Sequence, residues 1–155
     1  MKRVDFSLRD LKAVNDLLVE SPFDLSAARY VPLEAAWEGF FLLDSKERTC
    51  TRRSFFFSEY TALFMPCKLR IEGIKSCRTN DSSRIMFYSL ESLSVKDNSL
   101  QMTFIENMNI SFMLTESSTL RVEYPETPSY SAKFRYYNWI GIESGPFDIE
   151  PVLHS

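Results

Sequence analysis

Few side chains in this chain have the chemistry for catalysis, and their spacing limits what they could do. The single histidine, His154, lies one residue from the C-terminus, where chains are seldom held rigidly. A Ser-His-Asp or Cys-His arrangement would have to draw its base from that end, and zinc sites rich in histidine or cysteine lack ligands at usable spacing. The plain reading of His154 is a solvated terminal residue. Cys50, Cys67 and Cys77 form an odd set with no Cys-x-x-Cys pair, which suits reduced thiols, although spacing alone leaves a Cys67 to Cys77 bridge open. Lys68 beside Cys67 would favour a reactive thiolate. A buried structural cysteine is the commoner case.

Two acids in different environments can divide the roles of general acid and base, which makes Glu34 with Glu38, and Asp44 with Glu47, the pairs to consider. Only their nearness in sequence supports that role, and exposed acids at strand ends are the ordinary alternative. The four glycines, at 39, 73, 141 and 145, form neither a Gly-x-Gly-x-x-Gly nor a Walker-type loop to cradle phosphate. The chemistry therefore points away from an enzyme, with no cofactor and no metal expected.

Recognition has better material. Arg48-Thr49-Cys50-Thr51-Arg52-Arg53 runs into Phe55-Phe56-Phe57, and Lys133-Phe134-Arg135-Tyr136-Tyr137-Asn138-Trp139 repeats the mixture of cations and rings. Arginines beside exposed rings on a sheet can hold single-stranded nucleic acid by phosphate contacts and base stacking. In a strand, however, Phe134 and Tyr136 share one face while Arg135, Tyr137 and Trp139 share the other, and Phe55 and Phe57 oppose Phe56, so half of the rings would be core. As a protein contact, Arg135, Tyr137, Asn138 and Trp139, with Arg52 and Arg53, include the residue types enriched at binding hot spots. Met102, Met108 and Met113 would fill gaps in a β core or line an adaptable groove.

The bulk numbers bound these possibilities. A chain of 155 residues fits one domain, 1–155, and can bury a core without staples. Its 45% apolar and 25% charged residues, with 13 Phe and 7 Tyr, place it among globular chains. A formal charge of −3 gives no global positive field, so nucleic acid is the lesser candidate partner. The basic start Met-Lys-Arg lacks the apolar stretch of a signal peptide, and no run reaches a membrane span. A cytoplasmic, non-membrane protein is the expectation.

The elements that position these residues are mostly strands. Leu69 and Ile71 alternate with Lys68, Arg70 and Glu72; Leu100, Met102 and Phe104 with Gln101 and Thr103; Leu120, Val122 and Tyr124 with Arg121 and Glu123. That period of two predicts antiparallel strands with one wet face. Strands are expected at about 37–43, 49–57, 68–76, 84–90, 93–96, 100–105, 110–114, 120–124 and 133–142, with a hairpin at Asp97-Asn98-Ser99 and turns at Glu116-Ser117-Ser118 and 79–83. Residues 22–36 give no firm pattern. One helix precedes them, over about 7–20, with Ser7 as N-cap, Asp10 as its capping-box partner, Phe6 stapled to Leu11, and Leu8, Leu11, Val14 and Leu18 on one stripe facing the sheet. After the β-rich region 37–142 comes an acidic segment, 143–155.

The expected fold is α+β and predominantly antiparallel: seven to nine strands in a bent sheet, sandwich or partly open barrel, with one N-terminal amphipathic helix. The expected function is a non-enzymatic cytoplasmic binding protein that neutralises or regulates a protein partner. Single-stranded nucleic-acid binding through the basic-aromatic strands is one alternative, and a small-ligand-binding or enzymatic barrel another.

Overall fold

The computed structural model describes residues 1–85 and 87–152. His154 lies outside the described residues. Among the described residues, nine strands and one short helix follow in the order β1 (Lys2–Ser7), a 3-10 turn (Leu8–Asp10), α1 (Leu11–Leu18), β2 (Pro22–Val31), a second 3-10 turn (Pro32–Glu34), β3 (Ala36–Arg53), β4 (Phe57–Asp81), β5 (Phe87–Lys96), β6 (Ser99–Phe104), β7 (Met108–Tyr124), β8 (Tyr130–Tyr137) and β9 (Ile142–Pro151). The pairings are antiparallel, in the sheet order β1-β7-β6-β5-β2-β3-β4-β8-β9, and β7 also pairs with β4. The α+β, mostly antiparallel architecture read from hydropathy is the one found. No helix among the described residues is long and apolar enough to cross a membrane.

The backbone groups into two compact units. One comprises 1–43 and 67–124; the other comprises 44–66 and 125–155. In the first, Phe23, Trp37, Phe41, Leu69, Ile71, Tyr88, Leu100, Met102, Phe104, Ile110, Phe112, Leu120 and Val122 are buried, each in the alternate position that the pleat assigns to the inner face. Its centre is aromatic: the Phe23 ring lies 4.9 Å from both Phe41 and Phe104, and Trp37 meets Phe112 edge-on at 5.1 Å. A Cβ on Gly39 would fall 2.2 Å from the Trp37 ring, so the indole fills the space that any larger residue at 39 would need.

The helix is shorter than expected. Asp10 accepts hydrogen bonds from the Ser7 backbone N–H (3.2 Å) and hydroxyl (2.9 Å), which anchors the start. The chain leaves the helix after Leu18, and Glu20 takes a left-handed turn with φ +64 before Pro22 opens β2. Val14 and Leu18 are fully buried while Leu8 and Leu11 are only half-buried, so the packing stripe rests on its later half. Asn15 Oδ1 accepts the Leu93 N–H at 2.7 Å, tying α1 to β5. Phe6 lies in β1 opposite Leu120.

Several boundaries move. Residues 37–43 and 49–57 were expected as two strands; β3 runs continuously to Arg53, although Lys46 has φ +68 and the Asp44 carboxylate accepts the Lys46 N–H at 2.8 Å. That local turn carries the polar residues that look like a loop. Leu120–Tyr124 and Ile110–Leu114 likewise join in β7. The expected turn at Glu116-Ser117-Ser118 is a bulge within it, where the ladder to β4 jumps from Ile74↔Leu114 to Glu72↔Thr119. Gly73 opposes this bulge with φ +75, the Ser118 hydroxyl donates to its carbonyl at 2.6 Å, and an added Cβ would lie 2.9 Å from Ser118 Cα. Gly73→Ala is therefore expected to lower stability by about 1–2 kcal/mol, read as an earlier urea midpoint with an unchanged slope. The Asp97-Asn98 hairpin forms as expected, with Asp97 at φ +55 and Lys96 paired to Ser99.

In the second unit β3 (44–53), β4 (57–66), β8 and β9 lie in that order. Ala62, Phe64 and Ala132 are buried, and Tyr60 stacks on Phe134 at 5.6 Å. The acidic segment was expected to follow the sheet; residues 142–151 instead form the edge strand β9, with Glu143 opposite Tyr136 and Glu150 opposite Ser131.

Candidate binding surface

The second unit brings the two basic-aromatic stretches together at one end. β3 stops at Arg53 rather than continuing to residue 57, because Ser54 closes a tight turn: its N–H donates to the Phe57 carbonyl at 2.8 Å, and its hydroxyl accepts the Phe57 N–H at 3.2 Å. Phe55 and Phe56 are thus turn residues, not alternating strand residues, and both rings stand outside. Phe55 is 88% exposed and Phe56 60%. They touch edge to face at 5.2 Å.

β8 ends at Tyr137, not near residue 142. The Gly141 and Ile140 N–H groups donate to the Tyr137 carbonyl at 2.9 and 3.3 Å, and Gly141 takes φ +66, the conformation that favours glycine. Trp139 therefore leaves the strand and does not share a face with Tyr137; it is 68% exposed at the tip of the β8–β9 turn. Ile140 and Ile142 beside it are about half-exposed.

A pair of ladder contacts fixes one tip against the other. Phe57 is in register with Tyr137, and the Asn138 N–H donates to the Phe56 carbonyl at 3.0 Å. Asn138 thus acts through its backbone. Behind the tips, the Arg135 guanidinium lies 4.6 Å from the Phe57 ring centre and pairs with Glu59 at 3.1 Å, while the Arg52 guanidinium lies 5.3 Å from the same ring. Arg135 Nε is buried and has no hydrogen-bond partner among the described residues. Tyr137 is half-buried against Phe57, with ring centres 6.3 Å apart. Arg53 is exposed.

On the other face of these strands, Tyr60 donates its hydroxyl to Glu143, and Arg48 lies 5.8 Å from both the Tyr60 and Phe134 rings while pairing with Asp44. Burial, and then the Glu143 carboxylate, push the Tyr60 phenol up to about 12. Burial also raises Asp44, but the Arg48 guanidinium and the Lys46 N–H outweigh it and hold the carboxyl below the usual range. Asp44 and Glu47 therefore do not sit as an unpaired acid couple, since Asp44 is engaged by a cation.

The first unit places the other sequence candidates. Cys67 is fully buried and burial pushes its thiol up to about 12, the opposite of activation by Lys68, whose ammonium lies 3.4 Å from Glu123. Cys50, Cys67 and Cys77 are all free. Glu34 and Glu38 do converge, but on a cation: Arg70 reaches Glu34 and Glu38 at 2.7 Å each and Glu72 at 2.8 Å. Arg29 adds a second contact to Glu38 at 2.9 Å. Lone Glu-x-x-x-Glu spacing gave no hint of this three-carboxylate clamp, because its cation comes from another strand.

What the paired tips offer chemically is exposed apolar and cationic contact area. Solvent-exposed Trp and Phe beside Arg can bury apolar area and donate charged hydrogen bonds. Sequence reasoning named Arg135, Tyr137, Asn138, Trp139, Arg52 and Arg53; it missed Phe55 and Phe56 as exposed residues, although Ser54 before them was a turn signal. No family model, curated protein or solved structure matches this chain.

Proposed function

We propose that this is a non-enzymatic binding protein of the cytoplasm that engages another protein, as a neutraliser or regulator, through the paired tips of β3–β4 and β8–β9. One observation carries the reading: a backbone hydrogen bond from Asn138 to Phe56 joins the turn bearing Phe55 and Phe56 to the turn bearing Trp139, and all three rings are exposed. Large rings left exposed on two adjoining turns stand where a partner would cover them. Turns closed by backbone hydrogen bonds, at Ser54–Phe57 and Tyr137–Gly141, lower the entropy that a partner would have to overcome on docking. The free thiols suit a reducing compartment.

The test is affinity capture with the wild type and with a Phe55→Ser, Trp139→Ser double variant. Both sites are exposed, so melting should shift by no more than about 0.5 kcal/mol, and a circular dichroism melt checks that the variant is folded. The expected result is a protein captured by the wild type and depleted at least tenfold with the variant. Identical captures from both would end the proposal.

Single-stranded nucleic acid is the second reading, favoured by Arg52 and Arg53 next to stacking rings. It predicts oligonucleotide binding that weakens steeply with salt and is lost on Arg52→Ala with Arg53→Ala.

A further inference from the structure

The tip is polarised in charge. Across residues 52–58 and 136–142, the only charged side chains are Arg52 and Arg53. The carboxylates that directly flank these segments are engaged: Glu59 by Arg135 and Glu143 by the Tyr60 hydroxyl. Among the described residues neither Arg52 nor Arg53 has a carboxylate within 4 Å. The formal charge of the whole chain is −3, so with +2 at the tip the remaining residues carry −5.

From this we infer that the partner presents an apolar protein surface edged by carboxylates. Resting on the tip-binding reading above, the inference adds the partner's chemistry. An acidic surface is attracted at the tip and repelled by the rest of the molecule, and because screening limits these fields to about 8 Å, the local sign decides contact while the surroundings disfavour other orientations. The rings and the two isoleucines enter the apolar part, and the guanidiniums meet the carboxylate rim, where bidentate hydrogen bonding is available.

Other anionic targets fit less well. Electrostatic recruitment to anionic lipid takes clusters of about 4 to 8 basic residues, and the tip has two. A nucleic acid strand could stack on Phe55, Phe56 and Trp139 but would leave the apolar side chains beside them uncovered. Ile140 and Ile142 are exposed and have no flat face for a base, whereas an apolar protein surface would cover them.

The molecule contains its own reporter. Trp37 is 2% exposed and Trp139 is not, so a blue shift in emission on adding a probe reports Trp139 being covered. The full chain is titrated with a synthetic amphipathic helix of Leu and Glu, its Leu and Lys counterpart, vesicles containing phosphatidylserine, and oligo-dT. The Leu-Glu peptide is expected to give a saturable blue shift at least tenfold tighter than the Leu-Lys peptide, and Arg52→Glu with Arg53→Glu to invert that preference. Equal response to both peptides, or a response to vesicles or oligo-dT alone, would overturn the inference. If Phe55→Ser with Trp139→Ser removes capture of the cellular partner but the charge-reversed variant does not, the tip reading stands and only the carboxylate rim falls.

Discussion

Glu38→Ala is expected to lower the stability of the folded chain by about 3 kcal/mol, measured by urea unfolding. Removing one partner of a buried ion pair leaves the other charge desolvated, which costs about 3–5 kcal/mol, and here Arg70 keeps Glu34 and Glu72 as compensation. The Glu38 side chain is only 7% exposed on the outer face of β3, surrounded by Arg29, Arg70 and Lys68. By contrast Arg29 is two-thirds exposed, and Arg29→Ala should cost no more than about 1 kcal/mol. The network continues across β4, β7 and β1 through Arg121 with Asp5 at 2.8 Å and Arg3 with Glu123 at 3.9 Å.

The same carboxylate sets a pH dependence. Burial raises Glu38, yet hydrogen bonds from Arg70 and Arg29 and the nearby Lys68 charge outweigh it, so the folded value lies below the usual one. A depressed carboxylate contributes stability above its unfolded value, about 4.3, and loses it as pH falls through the lower folded value. The gap between wild type and Glu38→Ala should therefore be full at neutral pH and narrow progressively below about pH 4.3. A constant gap down to pH 2 would show that the charge is not the cause.

Gly39→Ala is the second large effect, expected at about 3 kcal/mol. The new methyl would meet two Trp37 ring atoms at 2.2 and 2.7 Å and a Phe23 ring atom at 2.9 Å, and the indole is itself held by Phe112 and Phe23. Overpacking a filled core costs about 1–3 kcal/mol, occasionally more. Trp37→Phe removes the two closest atoms while leaving Phe23 in place. The double variant should consequently be more stable than the two single losses predict, by about 1 kcal/mol; strict additivity would mean that the strain lies elsewhere.

Hydropathy revealed the scaffold because burial of one face imposes a period of two, and that survives in Leu69–Ile71, Leu100–Phe104 and Leu120–Val122. Its errors share a cause. Polar residues break a strand on paper, yet at Asp44–Lys46 and Glu116–Ser118 the turn or bulge is absorbed within a longer strand by side chains that satisfy the backbone. β1 was missed because Val4 and Phe6 are only half-buried and offer two beats of alternation. Treating Phe55–Phe57 and Lys133–Ile142 as regular strands assigned half of their rings to a core, whereas Ser54 and Gly141 turn the chain and send Phe55, Phe56 and Trp139 outward. The convergence of the two tips depends on β4–β8 register, which no local pattern encodes. Arg70's grip on Glu34 and Glu38 is equally non-local.

β9, last in the sheet order, shows how the molecule avoids self-templating. An unpartnered strand offers a row of amide donors on which a foreign chain can polymerise. Pro146 and Pro151 carry no amide donor, register irregularities against β8 distort the row, and the exposed Glu150 adds a negative charge beside it. Amyloid-like growth from this margin is thereby discouraged, and the exposed rings can be kept at the tips without adding a second sticky border.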